Sequence, residues 1–281
     1  MNPAIKLLAL SALIVTSFYA HASYPEKIQT KENITKKLNL EITYIGNEGV
    51  LIKAGMKQVI VDGLHREYLG YSSLPQEQLD KIVTAQDPFG HVNLLLVTHV
   101  HADHFDARSV GLFLEHSPEA VLVSPQQVDD NLRMNFIDYD KIKAQIKQVT
   151  PLWKEKIELT VAGIKLEVLG LQHSGPMKLT QNLGYIVNLG GKKLLHVGDA
   201  NMAVENFEKF KLNEENIDVA FIPYWYLVDN KGQTVVNDQI KARQIIAVHV
   251  PPAGEQTILK KIKESYPDAE LFTRLMEKKM Y

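Results

Sequence analysis

The chain has 281 residues, 45% of them hydrophobic, enough for one large domain or two small ones that need no disulfide staples. Basic and acidic residues nearly balance at 31 and 33, giving a formal charge of -2, which argues against a broad basic face that wraps nucleic acid. Cysteine is absent, which excludes disulfides, thiolate metal ligands, a cysteine nucleophile and a lipid-anchoring cysteine.

In chain order, residues 1–22 read as a secretory signal peptide. Lys6 supplies the positive start, Leu7 to Val15 is apolar except for Ser11, and Ala20-His21-Ala22 gives the small-x-small cleavage pattern. The apolar stretch is shorter than the roughly 20 residues of a membrane span. The expectation is cleavage after Ala22, a secreted and periplasmic protein, and no stable membrane anchor. Residues 23–39 form a polar, Lys-rich lead-in, and residues 40–281 read as one catalytic domain.

From Leu40 the texture is β. Leu40 to Ile45 and Val50 to Ala54 are strand-like, and Gly55 opens a turn into Gln58 to Asp62. Asn93 to Thr98 is a nearly continuous apolar run, as in a strand buried on both faces. Asp106 is placed to cap a helix carrying Val110, Leu112, Phe113 and Leu114. Ala120 to Ser124 is a strand, and Pro125 suits the first turn of another helix. Hairpins follow at Ile157 to Leu169, about Ala162-Gly163, and at Leu183 to Val197, about Gly190-Gly191. Asp218 to Ile222 and Ile245 to Val250 are further strands, with a helix at Glu255 to Ser265 and a last strand near Leu271. Hairpins followed by strand-helix units in both halves predict a layered α/β protein with mixed sheets.

The strongest chemical signal is Thr98-His99-Val100-His101-Ala102-Asp103-His104-Phe105-Asp106, at the end of the buried strand and the start of a helix. In extended backbone His99 and His101 point to one side, so their imidazoles can grip one cation. Asp103 and His104, on the turn beyond, can reach a second. Three imidazoles and a carboxylate within six residues suit zinc, with manganese or iron as alternatives.

His-x-His-x-Asp-His after a buried strand resembles the signature of the metallo-β-lactamase superfamily, and the resemblance spans nearly the whole chain from about Ile42. It implies a four-layer αββα sandwich with two divalent metal ions at one edge of its sheets. It also assigns the remaining positions. Asp62 matches an early aspartate that supports the metal loop. His173 matches the third histidine, Asp199 in His196-Val197-Gly198-Asp199 the bridging carboxylate, and His249 the last histidine. By resemblance His99, His101 and His173 hold one ion, Asp103, His104 and His249 the other, and Asp199 bridges them. Two divalent cations bring four positive charges, of which two carboxylates and a hydroxide offset three. A bridging water, acidified toward neutrality, would be the nucleophile. Asp103 is a candidate catalytic residue that orients that water or carries its proton. His196 reads as a supporting or packed residue. His65 is placed near the cleft mouth, and Tyr224 and Trp225, on the loop after Pro223, are candidate substrate contacts.

The resemblance implies a hydrolase. Lactamases with a cysteine in the second site are excluded, and the cysteine-free ones usually lack a bridging aspartate. Di-iron oxidoreductases of the superfamily place glutamate where His101 stands. Tyr44-Ile45-Gly46 ahead of a hairpin and Asp62 looks most like the branch with ascorbate-phosphate lactonases and N-acyl-phosphatidylethanolamine phospholipase D-like enzymes. The expected substrate is a small or lipid-like molecule with a phosphodiester bond, with a lactone or thioester as alternatives. A metal-binding recognition protein without turnover is the other class to weigh. The sequence sets no oligomeric state.

Overall fold

A computed structural model describes residues 39–66, 70–71, 73–175, 179–252 and 255–281. The expected signal peptide and all of the lead-in except Asn39 lie outside the described residues. Strands β1 (Leu40–Gly46), β2 (Gly49–Ala54) and β3 (Lys57–Val61) form an antiparallel meander. Helix α1 (Gln76–Val83) leads to β4 (Leu94–Leu96), α2 (Ala107–His116) to β5 (Val121–Ser124), and α3 (Gln126–Asn135) with the short α4 (Tyr139–Ile142) to β6 (Ile146–Gln148). Strands β3 to β6 run parallel.

The second half repeats this plan. Strands β7 (Lys156–Val161), β8 (Ile164–Gln172), β9 (Gln181–Leu189) and β10 (Lys192–His196) form an antiparallel meander. Then β11 (Val219–Pro223), the one-turn helices α5 (Tyr224–Val228) and α6 (Asn230–Thr234), β12 (Gln244–Val248), α7 (Glu255–Ser265) and β13 (Glu270–Leu271) extend the sheet in parallel. The last strand, β14 (Lys278–Met280), crosses back to pair with β1. Among the described residues each sheet thus has seven strands, ordered β14-β1-β2-β3-β4-β5-β6 and β13-β12-β11-β10-β9-β8-β7.

Alternation along the strands builds the four layers. In β4, Leu94 and Leu96 join the core between the sheets, while Leu95 joins the core beneath the helices of the first half. In β11, Val219 and Phe221 face inward, and Ala220 and Ile222 face the second outer core with Tyr226 and Leu227. Side chains with period 2, apolar on both faces, force a sheet to be covered on both sides, hence αββα. Burying each Val or Leu contributes about 1.5–3 kcal/mol before conformational entropy is charged.

Two expectations need correction. The ladder expected over Asn93 to Thr98 covers only Leu94–Leu96. Beyond it, the Thr98 amide donates to the Asp62 side chain at 2.8 Å, so a carboxylate replaces the neighbouring strand. His99 to His101 therefore lie on a loop, and their rings meet at 4.6 Å through the loop's course, not through a pleat. The segment after Pro223 is helix α5 and not a loop.

Candidate metal centre

The chemistry-bearing residues cluster where strands end. Asp62 follows β3, His99 to His104 follow β4, His173 follows β8, Asp199 follows β10 and His249 follows β12. Carboxyl ends of strands leave the ladder together, so their loops converge on one crevice. Several of these turns need unusual backbone. Asp62 (φ 45°), Gly198 (φ 54°) and His249 (φ 58°) are all left-handed, a conformation L-residues hold only when surrounding contacts fix it.

His99, His101, His173 and Asp199 each offer a ligand atom within 4.8 Å of the others, and Asp103, His104 and His249 form a second such group. Asp199 joins the two groups with different oxygens. Its Oδ2 lies 3.7 Å from His173 Nε2 and 4.0 Å from His99 Nε2, while its Oδ1 lies 3.5 Å from both His104 Nε2 and His249 Nε2. Asp103 Oδ2 is 3.2 Å from His249 Nε2 and 3.7 Å from His104 Nε2. The structure thus brings together all seven residues singled out in the sequence.

The far sides of three of the imidazoles, those of His99, His104 and His173, are fixed by hydrogen bonds. His104 Nδ1 donates to Asp62 Oδ2 at 2.9 Å, and His173 Nδ1 donates to the Ser174 carbonyl at 2.6 Å. The Thr98 hydroxyl donates to Asp62 Oδ2 at 2.6 Å and so accepts from His99 Nδ1 at 3.0 Å. Each bond leaves an Nε2 lone pair aimed at the cluster. Those of His99, His104, His173 and His249, with Asp199 Oδ1, are buried and have no hydrogen-bond partner. Buried polar atoms in native proteins are nearly always satisfied, and divalent cations between the two groups would satisfy these. The donor set of five imidazoles and two carboxylates fits such ions.

Protonation agrees. Burial alone would lower His104, yet the Asp199, Asp62 and Glu48 carboxylates outweigh it and carry His104 up to about 9. His249 is likewise driven well up against its burial, chiefly by Asp199 and Asp103. Asp199 is held well below the usual carboxylate range despite burial, by His104 and His249. The cavity is anionic and gathers protons where cations would sit. His99, pushed far down by burial and by His104, stays neutral and ready to ligate.

Some supports escaped the sequence reading. Asn47 Nδ2 donates to the Asp103 carbonyl at 3.1 Å and to Asp103 Oδ2 at 3.3 Å, and the Asn47 carbonyl accepts from the His249 amide. Asn182 accepts from the Asp199 amide and donates to the Val197 carbonyl. Glu48 is fully buried beside His104, and burial together with Asp199 pushes it up to about 8. The visible signal was three polar or small residues, Asn47-Glu48-Gly49, in the turn of an otherwise apolar hairpin. His196 donates from Nε2 to the Glu48 carbonyl and accepts at Nδ1 from the Gly198 amide, so both its nitrogens are occupied. His65 does not line the mouth as expected. It is buried, with its ring nitrogens 3.2 Å from the Gly46 and Arg66 carbonyls, between the hairpin turn and the following loop. Trp225 and Tyr71 pack edge-on against His249 with centroids at 5.0 and 4.5 Å. Tyr224 stands behind Trp225 at 5.5 Å.

Comparison with known proteins agrees with this fold. Residues 72–265 match the family described as the beta-lactamase superfamily domain. The UPF0173 metal-dependent hydrolase of Pyrococcus furiosus is 23% identical over 222 residues, covering 75% of this chain and 84% of that protein. Among solved structures, Igni18, a metallo hydrolase from the archaeon Ignicoccus hospitalis, superposes with a TM-score of 0.61 at 17% identity, covering 86% of this chain and 98% of its own. The metallo-beta-lactamase fold protein YhfI from Bacillus subtilis superposes with a TM-score of 0.59 at 14% identity, covering 87% of this chain and 100% of its own. The chain therefore belongs to the beta-lactamase superfamily, as a metal-dependent hydrolase of the metallo-β-lactamase fold.

Proposed function

We propose that this protein is an exported hydrolase with two divalent ions, zinc first among the candidates, that cleaves a phosphodiester in a small or lipid-like substrate. The observation that carries the two-ion reading is Asp199, whose two oxygens address two separate imidazole groups. His99, His101 and His173 hold one ion in this reading, and Asp103, His104 and His249 the other. Held there, such ions would supply Lewis acidity at the attacked oxygen and lower the pKa of the nucleophilic water.

The chain's own residues do the rest. Asp103, steadied by Asn47 and lying beside His249, would orient the nucleophilic water and receive its proton. Asp62 fixes His104 directly and His99 through Thr98. Trp225 and Tyr71 give the His249 side of the cleft an aromatic wall on which the uncharged part of a substrate can rest. Export is supported by Lys6, the apolar run Leu7 to Val15 and Ala20-His21-Ala22. Among the described residues no helix is long and apolar enough to cross a membrane.

The test is hydrolysis by residues 23–281 loaded with zinc or manganese, against a phosphodiester, a lactone, a thioester and a β-lactam, with a chelated control. Chelator-sensitive turnover greatest on the phosphodiester is the expected result. Preference for the lactone or thioester overturns the bond assignment and keeps the hydrolase. Two bound ions with no turnover on any of the four would favour the recognition-protein reading.

A further inference from the structure

Glu48 lies at the turn between β1 and β2, fully buried, and neither of its carboxylate oxygens has a hydrogen-bond partner. Its Oε2 is 4.0 Å from His104 Nδ1 and 3.8 Å from His196 Nε2. Those nitrogens give their protons elsewhere, to Asp62 and to the backbone carbonyl of Glu48 itself. A buried carboxylate without partners weakens a fold. The same hairpin is otherwise lined by Ile45, Val50, Leu51 and Ile52, so an apolar side chain would serve packing better. Packing therefore does not explain Glu48.

A third ion between Glu48, Asp62 and His196, whose ligand atoms also lie within 4.8 Å of one another, does not explain it either. Both His196 nitrogens are occupied, and both Asp62 oxygens accept hydrogen bonds from Thr98 or His104. Glu48 instead backs directly onto the main centre, with a carboxylate oxygen within 4.8 Å of ligand atoms of His104 and Asp199.

Charge supplies the reason. Two divalent ions bring four positive charges into a buried space. While the water between the ions is still neutral, Asp103 and Asp199 offset two, Asp62 behind His104 a third, and Glu48, ionised once the ions are bound, the fourth. We propose that Glu48 is a buried counter-charge, not a ligand, that sets the centre to hold two divalent ions instead of one. It acts through the field at the Asp103, His104 and His249 side, where its oxygens lie nearest. Charges are poorly screened at such depth, so one unit of charge is worth about tenfold or more in the affinity of a nearby divalent ion. The proposal rests on the two-ion reading given above.

The test compares the full chain with Glu48→Gln and Glu48→Met, both close in length to glutamate. Zinc affinity is read by competition with a chromophoric chelator, and melting is followed in excess chelator. The unaltered protein should take two zinc ions. In both variants the second should bind at least tenfold more weakly and the first within about twofold of its original affinity. Without metal the variants should melt at or above the unaltered protein, because a buried carboxyl group with no hydrogen-bond partner has been removed. Two zinc ions bound as before overturn the proposal. So does a metal-free variant that melts far below the unaltered chain, or failure of both variants to fold, since Glu48 would then be structural. Fewer than two zinc ions in the unaltered protein overturns the two-ion reading itself and the role of Glu48 with it.

Discussion

Asp199 concentrates the chemistry at the residue scale, because one side chain addresses both imidazole groups through separate oxygens. Asp199→Asn keeps the shape and one acceptor but replaces the other oxygen with an amide that cannot ligate. Turnover of the metal-loaded protein should fall by two orders of magnitude or more while the metal-free melting temperature changes little. Wild-type rates at matched metal content would remove the bridging role. Asp62 acts one step back, accepting from His104 Nδ1, the Thr98 hydroxyl and the Thr98 amide. In Asp62→Asn one of its oxygens becomes a donor, which must face either the Thr98 amide or the His104 and Thr98 donors. Metal affinity should drop by about 10- to 100-fold, as for other residues that orient a ligating imidazole. Unchanged affinity in a chelator competition would show that the histidines hold their orientation without it.

Turns, more than regular elements, carry the site at the scale of the element. Gly198 is the sharpest case: at φ 54° an added Cβ would lie 2.7 Å from Asn182 Oδ1 and 2.8 Å from Thr98 Cβ. Asn182 orients the Asp199 amide and Thr98 orients His99, so Gly198→Ala pushes on both halves of the centre at once. It should lose metal affinity by more than tenfold and also lower the melting temperature. A variant that binds zinc normally would show that the loop can give way. Most of the strands and the helices Ala107–His116 and Glu255–Ser265 were legible because their apolar periods report burial directly. The His99 to His104 cluster was legible because so many ligand types in six residues have few other uses. The turn Asn47-Glu48 was not, since its role depends on contacts to Asp103 and His104, more than 50 residues away. Nor was β14, whose pairing with β1 spans nearly the whole described chain. His65 misled because a histidine near a candidate site reads the same whether it faces the cleft or is buried against backbone carbonyls.

The described residues form two similar halves whose sheets meet at the centre. Leu183 donates its amide to the Thr98 carbonyl, and Tyr185 donates its hydroxyl to the Val97 and Val123 carbonyls. Ions held between the halves should therefore stabilise the entire domain, and chelation should lower its melting temperature by several degrees. The metal-free protein should also lose stability as pH rises from about 6.5 to 9. His104, raised from 6.5 to about 9, contributes fully below its ordinary value and loses that contribution as pH climbs through the raised one. Glu48, raised from 4.5 to about 8, acts in the same direction, because its favoured neutral form is lost. Asp103 and Asp199, both shifted down from 3.8, act only at acid pH, and His99, shifted down from 6.5, acts only below 6.5. Thermal melts in chelator across that range check the sign, and a flat or rising profile would contradict it. The central claim is that seven side chains hold two ions, and anomalous diffraction at the zinc edge from crystals of the loaded protein tests it most directly. Two peaks are predicted, one among His99, His101 and His173, the other among Asp103, His104 and His249, with Asp199 between them. A single peak, or a peak ligated by Glu48 or His196, would contradict the account.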